Sequence, residues 1–227
     1  MIMKSNLEAV RGTIREGVKL IAVSKYHSQE LIKEAYDAGQ RAFGESREQE
    51  LKLKHEALPD DIEWHFIGHL QTNKVKYIAP FVNVIQSVDS ERLLDEINKQ
   101  AVKNNRVINV LLQVHVAQEE TKSGFDAFDL EQLLTKTNVS ERWPNVRLTG
   151  MMTMASFTHD EQQIMREFRS LILCYNTLIG GPLKEQGITK EQFKTLSFGM
   201  SDDYHIAVQC GSNMVRIGSS IFGARTY

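Results

Sequence analysis

The chain has little cysteine, little proline and no marked excess of either charge. Its 227 residues include two cysteines and four prolines, and its formal net charge is −2. Cys174 and Cys210 do not have metal-ligand spacing, so we expect reduced packing residues and a cytoplasmic protein rather than a disulfide framework. No long basic run is present, which gives no electrostatic footprint for nucleic acid.

Long apolar runs are also missing from the sequence. The first seven residues, Met1-Ile2-Met3-Lys4-Ser5-Asn6-Leu7, do not contain the apolar core of a signal peptide. No stretch has the length of about 20 apolar residues that a membrane-spanning helix needs. We therefore expect no membrane partner, and we expect the protein to be a monomer in the cytoplasm.

The sequence does contain a regular alternation of strand-like and helical patterns. Apolar runs are followed by residues with a helical apolar period, as in Leu31, Ile32 and Ala35 between a Ser28 cap and a Gly39 stop. In a chain of this length the alternation predicts a single-domain (β/α)8 barrel over residues 1–227. The predicted strands lie at 18–25, 42–46, 63–68, 82–88, 108–117, 147–155, 194–200 and 214–219.

Two other helical patterns have predicted positions. Leu7, Val10 and Ile14 share one face of a leading helix, which we expect to cover the bottom of the barrel. The long pattern from Ile164 to Ile179 keeps a single apolar stripe, which predicts packing against the barrel exterior.

Lys25 ends the first strand-like run, which begins at Val18. The carboxyl ends of barrel strands are where such folds place their chemistry. A lysine desolvated there can act as a nucleophile and form a Schiff base with an aldehyde. The alternative is a side chain that reaches solvent from the strand end.

Two turns near the end of the sequence have the composition of a phosphate site. Small hydroxyl and glycine residues follow the last two predicted strands, with Ser201 in the first turn and Gly218 and Ser219 in the second. Backbone amides and hydroxyls at such turns bind anions, and barrels commonly bind phosphate after strands seven and eight. Asp202-Asp203 is interpreted as a helix start, with an N-cap and a favourable helix dipole, rather than as a metal site.

Arg216 lies on the last predicted strand. It shares a face with Met214 and Gly218, because side chains alternate along a strand. A guanidinium inside a barrel needs a partner. That partner is either one of the 29 carboxylates of the chain or the ring nitrogen of a ligand.

With these residues the chain resembles the YggS/PROSC family of pyridoxal-phosphate-binding proteins, also called pyridoxal phosphate homeostasis proteins. The resemblance runs through nearly the whole sequence. The matching segments are Ala22–Lys25, Phe43–Ser46, Trp64–Lys74, Glu120–Gly124, Gly199–Asp203 and Met214–Ser219.

The resemblance implies that Lys25 carries pyridoxal 5′-phosphate (PLP) as an internal aldimine. It also implies that Ser201, Gly218 and Ser219 hold the phosphate and that Arg216 meets the pyridine nitrogen. Ser219 stands where many members have Thr, and the hydroxyl is kept.

Ser46 stands where many members have Asn, and the resemblance implies a contact between position 46 and the cofactor. Met152, on the sixth predicted strand, is expected to point inward and contact the cofactor ring, and His115 on the fifth is expected to point inward as well. Lys74 and Lys122 are expected on the rim, where family resemblance links lysines to cofactor handling. His65 is interpreted as a satisfied core residue, with a place at the barrel mouth as the alternative.

The fold also resembles the barrel domain of alanine racemase, a fold-type III PLP enzyme. Racemisation needs acid-base groups on both faces of the substrate carbon, and no such second group is recognised here. We therefore expect a PLP carrier that buffers or delivers the cofactor, with apo PLP enzymes as partners, no catalytic residue and no metal. The alternatives are a minimal amino-acid racemase with Lys25 as base and an aldolase-like barrel that uses Lys25 without PLP.

Overall fold

The computed structural model describes residues 2–118 and 123–223. Eight parallel strands close into a barrel in sequence order, and the last strand pairs with the first. The (β/α)8 architecture predicted from the alternation is confirmed. The strands are β1 Lys19–Val23, β2 Ala42–Glu45, β3 Glu63–Phe66, β4 Val84–Val88, β5 Ile108–Gln113, β6 Val146–Met152, β7 Thr195–Ser197 and β8 Met214–Ile217.

The helices connect these strands and surround the barrel. Several are short, and a single 3₁₀ turn, Thr72–Lys74, is found in the described part of the chain. The α-helices are α1 Ile2–Thr13, α2 Gln29–Asp37, α3 Glu48–Ala57, α4 Val75–Ile78, α5 Glu91–Lys103, α6 Ala127–Lys136, α7 Val139–Arg142, α8 Glu161–Gly180, α9 Pro182–Glu185, α10 Tyr204–Gln209 and α11 Ser219–Phe222.

The strands are shorter than the predicted runs at their carboxyl ends. Except for the fourth, every predicted segment extends past the last residue of the observed strand. Hydrogen bonding to the neighbouring strand continues for one residue past several strand ends, as from the Ser24 amide to the Gly44 carbonyl oxygen (3.0 Å) and from the Ile67 amide to the Glu45 carbonyl oxygen (2.8 Å). The residues beyond the strand ends form the rim at which the candidate site lies.

The barrel interior is filled by side chains from alternate positions on the strands, as expected for this fold. One buried apolar layer comes from six strands and consists of Ile21, Ala42, Val84, Leu111, Met152 and Met214. The outward-facing apolar residues form a second, larger core with the helices, and it includes the apolar stripe of α8. The interior is therefore a packed core and not a pore.

The first helix does not cover the bottom of the barrel, and that prediction was wrong. Helix α1 packs along the side of the barrel against α2 and α11. Asn6 Nδ2 donates to the Ile221 carbonyl oxygen (3.2 Å), and the hydroxyls of Thr13 and Tyr204 are 2.8 Å apart. Helix α11 has only four residues and leaves a gap in the outer ring, which the apolar face of α1 fills.

The cysteines agree with the sequence prediction. Cys174 and Cys210 are both free thiols, and burial raises the pKa of Cys174 to about 11. None of the described helices combines the length and the apolar character needed to cross a bilayer.

Candidate functional site

The ends of β1 and β8 meet closely at the carboxyl-terminal mouth of the barrel. Strand β8 pairs with β1 through Ile21 opposite Arg216 and Ala22 opposite Ile217. A Cβ added to Gly218 would lie 3.1 Å from the carbonyl oxygen of Val23 and 3.2 Å from its Cβ. Glycine thus allows the turn after β8 to lie against β1, two residues before Lys25.

Lys25 lies in a tight turn just beyond β1 and not within the strand. The His27 amide donates to the Ser24 carbonyl oxygen (3.1 Å), which closes the turn, and Lys25 itself is half-buried. Tyr26, the next residue, has a φ of 67°, in the left-handed region that residues other than glycine rarely adopt. The predicted lysine is therefore presented on a constrained turn.

Three charged side chains lie behind this turn, on its helix side, and the sequence analysis did not identify them. Lys54 of α3 donates to the Ser24 carbonyl oxygen (2.8 Å), to Glu45 Oε1 (2.8 Å) and to Glu50 Oε1 (2.6 Å). Glu45 Oε1 also accepts from Ser24 Oγ (2.5 Å), and Glu50 Oε1 accepts from the Tyr26 amide (2.7 Å). We call Glu45, Glu50 and Lys54 the turn cluster.

The predicted phosphate residues lie together. Ser219 Oγ donates to Ser201 Oγ at 3.1 Å, so the turns after β7 and β8 place their hydroxyls side by side. The first hydrogen bonds of α11 come from the amides of Ile221 and Phe222 to Gly218, which leaves the preceding amides outside the helical ladder. Hydroxyls and amides of this kind are donors suited to an anionic ligand.

The turn after β7 is shaped by Gly199. This residue has a φ of 100°, and an added Cβ would lie 2.5 Å from Ala207 Cβ. Its carbonyl oxygen accepts from the Arg216 amide (2.9 Å), which connects the two turns. Asp203 occupies the N-cap position of α10 as predicted, but its carboxylate accepts from the Met200 amide (2.5 Å) and makes no capping bond.

Arg216 points into the barrel and is buried. Its Nη1 donates to the carbonyl oxygen and hydroxyl of Ser197 (2.8 Å each), and its Nη2 donates to the Thr153 carbonyl oxygen (2.9 Å). Burial lowers the pKa of Arg216 to about 10, and the charge of Asp203 opposes this effect. These hydrogen bonds go to neutral oxygens rather than to a carboxylate, which does not support the salt-bridge alternative.

A chain of buried hydrogen bonds continues from Arg216 to the opposite end of the barrel. Ser197 Oγ donates to Gln86 Oε1 (2.7 Å), and Gln86 Nε2 donates to His65 Nδ1 (2.9 Å). Because an amide nitrogen only donates, the His65 proton lies on Nε2, which donates to Glu63 Oε1 (3.1 Å). We call Ser197, Gln86, His65 and Glu63 the interior chain.

The interior chain explains the state of His65. The imidazole is fully buried, and this burial lowers its pKa. The hydrogen bond from His65, together with the Lys19 ammonium at 2.5 Å, lowers the pKa of Glu63 to about 2. His65 is therefore a satisfied core residue, as interpreted from the sequence, and not a residue of the mouth.

Two other predicted contact residues have different degrees of exposure. Ser46 is half-buried at the end of β2, and its backbone packs so closely on Gly68 that an added Cβ there would lie 2.4 Å from the Ser46 carbonyl oxygen. Met152 is fully buried in the interior apolar layer. Met154, on the same face and nearer the mouth, is only half-buried. The cofactor contacts of Ser46 and Met152 remain predictions.

The rim contains the other residues singled out from the sequence. Lys74 pairs with Glu48 at 2.5 Å, and this bond raises the pKa of the lysine. His115 lies two residues beyond β5, half-buried, with its amide bonded to the Phe125 carbonyl oxygen (3.0 Å). Lys122 lies outside the described residues. Within residues 2–118 and 123–223, no cluster of His, Cys, Asp and Glu is suited to a metal.

An open cavity of about 540 Å³ lies beside the turn after β7 and is lined there by Met200, Asp202 and Asp203. Its walls come from the segment after β6, around Met154 and Phe157, and from the turn after β7, around Met200 and Asp203. The cavity is more apolar than the turns themselves, so the mouth of the barrel combines polar anchoring groups with an apolar flank.

Comparison with known proteins identifies the family of this architecture. The model of the alanine racemase N-terminal domain family matches residues 2–226. The pyridoxal phosphate homeostasis protein of Aquifex aeolicus is 41% identical over 210 residues, covering 92% of this chain and 88% of that protein. The protein of the same name from Haemophilus influenzae is 39% identical over 213 residues, covering 92% and 86%.

Solved structures give the same result at the level of the fold. PipY of Synechococcus elongatus with PLP bound superposes with a TM-score of 0.85 at 31% identity, covering 97% of this chain and all of that chain. An alanine racemase of Clostridium difficile superposes with a TM-score of 0.77 at 16% identity, and this chain covers 57% of its length. The second likeness establishes the barrel fold alone.

Proposed function

The chain belongs to the pyridoxal phosphate homeostasis protein family, and from this membership we propose that it binds PLP reversibly and maintains the intracellular PLP supply. The proposal places it in the cytoplasm as a monomer, with apo PLP enzymes as recipients of the cofactor. It includes little or no turnover of amino acids.

One observation carries the proposal. The turn after β1, which bears the Lys25 amine, and the turns after β7 and β8, which bear the paired hydroxyls, lie at the seam of the barrel, where β8 pairs with β1. Gly218 packs against Val23, and Ser219 Oγ lies 3.1 Å from Ser201 Oγ. An amine on one side and a set of hydroxyl and amide donors on the other fit a ligand with an aldehyde at one end and a phosphate at the other. The residues present therefore fit PLP.

Each residue has a separate role in this proposal. The Lys25 amine binds the aldehyde of PLP, and the hydroxyls of Ser201 and Ser219 donate to the phosphate. Arg216 would face the pyridine nitrogen, where its positive charge would disfavour protonation of that atom. When bound, PLP supplies the electron-withdrawing ring and the aldehyde, and an unprotonated ring nitrogen makes the ring a weaker electron acceptor.

The same roles support storage and delivery over catalysis. The hydrogen bonds of Arg216 to the Ser197 and Thr153 carbonyl oxygens fix the guanidinium, and a guanidinium at the ring nitrogen would make the ring a weaker electron acceptor. The two relatives at 41% and 39% identity bear the name of a homeostasis protein and not of an enzyme. This chain is 16% identical to the alanine racemase, and a likeness at that level supports a shared fold and not a shared activity.

The attachment is tested by borohydride reduction of the protein loaded with PLP, followed by peptide mapping. We expect a pyridoxyl group on Lys25, and we expect Lys25→Ala to lose the visible absorbance while it remains folded. Lys74→Ala is the matched control on the rim and should retain the absorbance. A pyridoxyl group found chiefly on Lys74 or Lys122 would contradict the assignment.

Delivery is tested by mixing the loaded protein with an apo PLP enzyme and following recovery of that enzyme's activity. We expect recovery, with no amino-acid conversion by the carrier near the range of about 1–1,000 per second typical of enzymes. Conversion in that range, lost in Lys25→Ala, would establish a racemase-like enzyme instead. Sedimentation of the loaded protein checks the monomeric state.

A further inference from the structure

The turn cluster holds the peptide groups on both sides of Lys25. The carbonyl oxygen of Ser24 accepts from Lys54 Nζ (2.8 Å), and the amide of Tyr26 donates to Glu50 Oε1 (2.7 Å). The Ser24 side chain is held as well, because its hydroxyl donates to Glu45 Oε1 (2.5 Å). Lys25 is thus the residue between two fixed peptide groups.

The backbone held in this way is strained. The φ of 67° at Tyr26 is unfavourable for a residue with a Cβ, and such conformations persist only where the surroundings impose them. The hydrogen bond from the Tyr26 amide to Glu50 is one such restraint. Without the cluster, the turn would relax and the Lys25 side chain would leave from a different direction.

The turn cluster also costs free energy, because it buries charged side chains. The side chains of Lys54 and Glu45 are 5% and 0% exposed, and Glu45 Oε2 has no hydrogen-bond partner among the described residues. Burial raises the pKa of the Glu45 carboxyl to about 7, against the opposing effect of the Lys54 charge. Apolar residues of similar volume often stabilise a core as well as a buried ion pair does. The retained charges therefore point to a role in geometry.

We propose that Glu45, Glu50 and Lys54 are positioning residues that present the Lys25 amine for covalent capture of PLP. This inference rests on the proposed function. In the capture step the Lys25 nitrogen forms a bond to the aldehyde carbon, and the bond between that carbon and its oxygen breaks. The oxygen leaves as water with the two protons of the neutral amine. The cluster takes no part in bond making and acts only through the turn.

The test separates covalent capture from ligand binding. Stopped-flow absorbance gives the rate at which PLP attaches to Lys25, and titration with pyridoxine 5′-phosphate, which has no aldehyde, gives the affinity for the same scaffold. We expect Lys54→Met to slow attachment about ten- to a hundredfold, as misplacement of a reacting group does, and to leave the affinity for pyridoxine 5′-phosphate unchanged. Lys52→Met, an exposed change on the same helix, is the matched control.

A second variant, Glu50→Gln, tests the inference even if Lys54→Met does not fold. Glu50 is partly exposed, so Glu50→Gln is expected to fold and still to slow attachment, because it weakens the restraint on Tyr26. Equal losses of attachment and of pyridoxine 5′-phosphate binding, or full attachment rates in both variants, would overturn the inference. If the unchanged protein itself fails to attach PLP, the proposed function fails, which is a separate result.

Discussion

Gln86 is the central link of the interior chain, and its replacement by leucine tests whether that chain is built as described. The amide accepts from Ser197 Oγ (2.7 Å) and donates to His65 Nδ1 (2.9 Å). Leucine has a similar size but neither function. Gln86→Leu would therefore leave a buried hydroxyl and a buried ring nitrogen each without one partner.

The size of the effect follows from these two lost bonds. A buried polar group deprived of its partner costs about 1–3 kcal/mol, and two such groups cost roughly 2–6 kcal/mol. Greater apolar burial by leucine offsets roughly 1–2 kcal/mol of this. The midpoints of these two ranges give a net loss of about 2.5 kcal/mol in the free energy of unfolding, or roughly 5–10 °C in Tm for a chain of this size.

The assay is thermal and urea unfolding of Gln86→Leu beside Gln209→Leu. Gln209 is exposed at the end of α10, so its replacement should change the free energy of unfolding by less than about 0.5 kcal/mol. Nitrogen chemical shifts of the histidine ring provide an independent measurement, and they should show a neutral His65 protonated on Nε2.

Two results would refute the reasoning about the interior chain. One is equal stability of Gln86→Leu and the unchanged protein, which would mean that the amide bonds contribute nothing. The other is a proton on His65 Nδ1, which would reverse the direction of the hydrogen bonds. In Gln86→Glu, an acceptor replaces the amide nitrogen, so His65 should take up a second proton and become an imidazolium.

The other predictions concern the phosphate turn and pH. Ser219→Ala should weaken PLP binding about ten- to a hundredfold in titrations and leave pyridoxal, which has no phosphate, nearly unaffected; equal losses would place the hydroxyl elsewhere. Gly218→Ala should weaken PLP binding and destabilise the fold by about 1–3 kcal/mol, because the methyl group meets Val23; an unchanged Tm would contradict this. The pKa of Glu45 in the folded protein is raised from 4.5 to about 7. The stabilisation from this carboxyl is therefore complete below pH 4.5 and is lost as pH rises through 7. Glu45→Gln should not show this loss. The lowered pKa of Glu63 gives the opposite slope, with stability lost as pH falls from about 4.5 toward 2, and a flat acid profile in unfolding experiments would count against it.

The sequence predicted the barrel and, at the ends of its strands, the residues of the candidate site. Apolar runs separated by helical periods determine the strand order, and the carboxyl ends of parallel strands meet at one mouth, so Lys25, Ser201 and Ser219 were expected near one another. The seam between β1 and β8 and the bond between the two serines agree with that expectation.

The residues that the sequence did not reveal act through contacts between distant segments. Lys54 stands in an ordinary charged helix pattern, and the i,i+4 spacing from Glu50 was the one available signal; its burial depends on how α3 lies against the end of β1. The interior chain requires the relative heights of three separate strands, which side-chain alternation alone does not give. The position of α1 depended on the shortness of α11, which a pattern of apolar residues does not fix.

The pairing of β1 with β8 has a consequence for synthesis of the chain on the ribosome. Lys25 follows the first barrel strand to leave the ribosome, whereas Gly218 and Ser219 follow the last. A nascent chain that has reached β7 carries the amine but not the turn that completes the anchoring groups, and nearly two hundred residues separate the two halves of the site. Cofactor binding at the candidate site would therefore select closed barrels, and the PLP retained by the purified protein would measure closed barrels rather than total polypeptide.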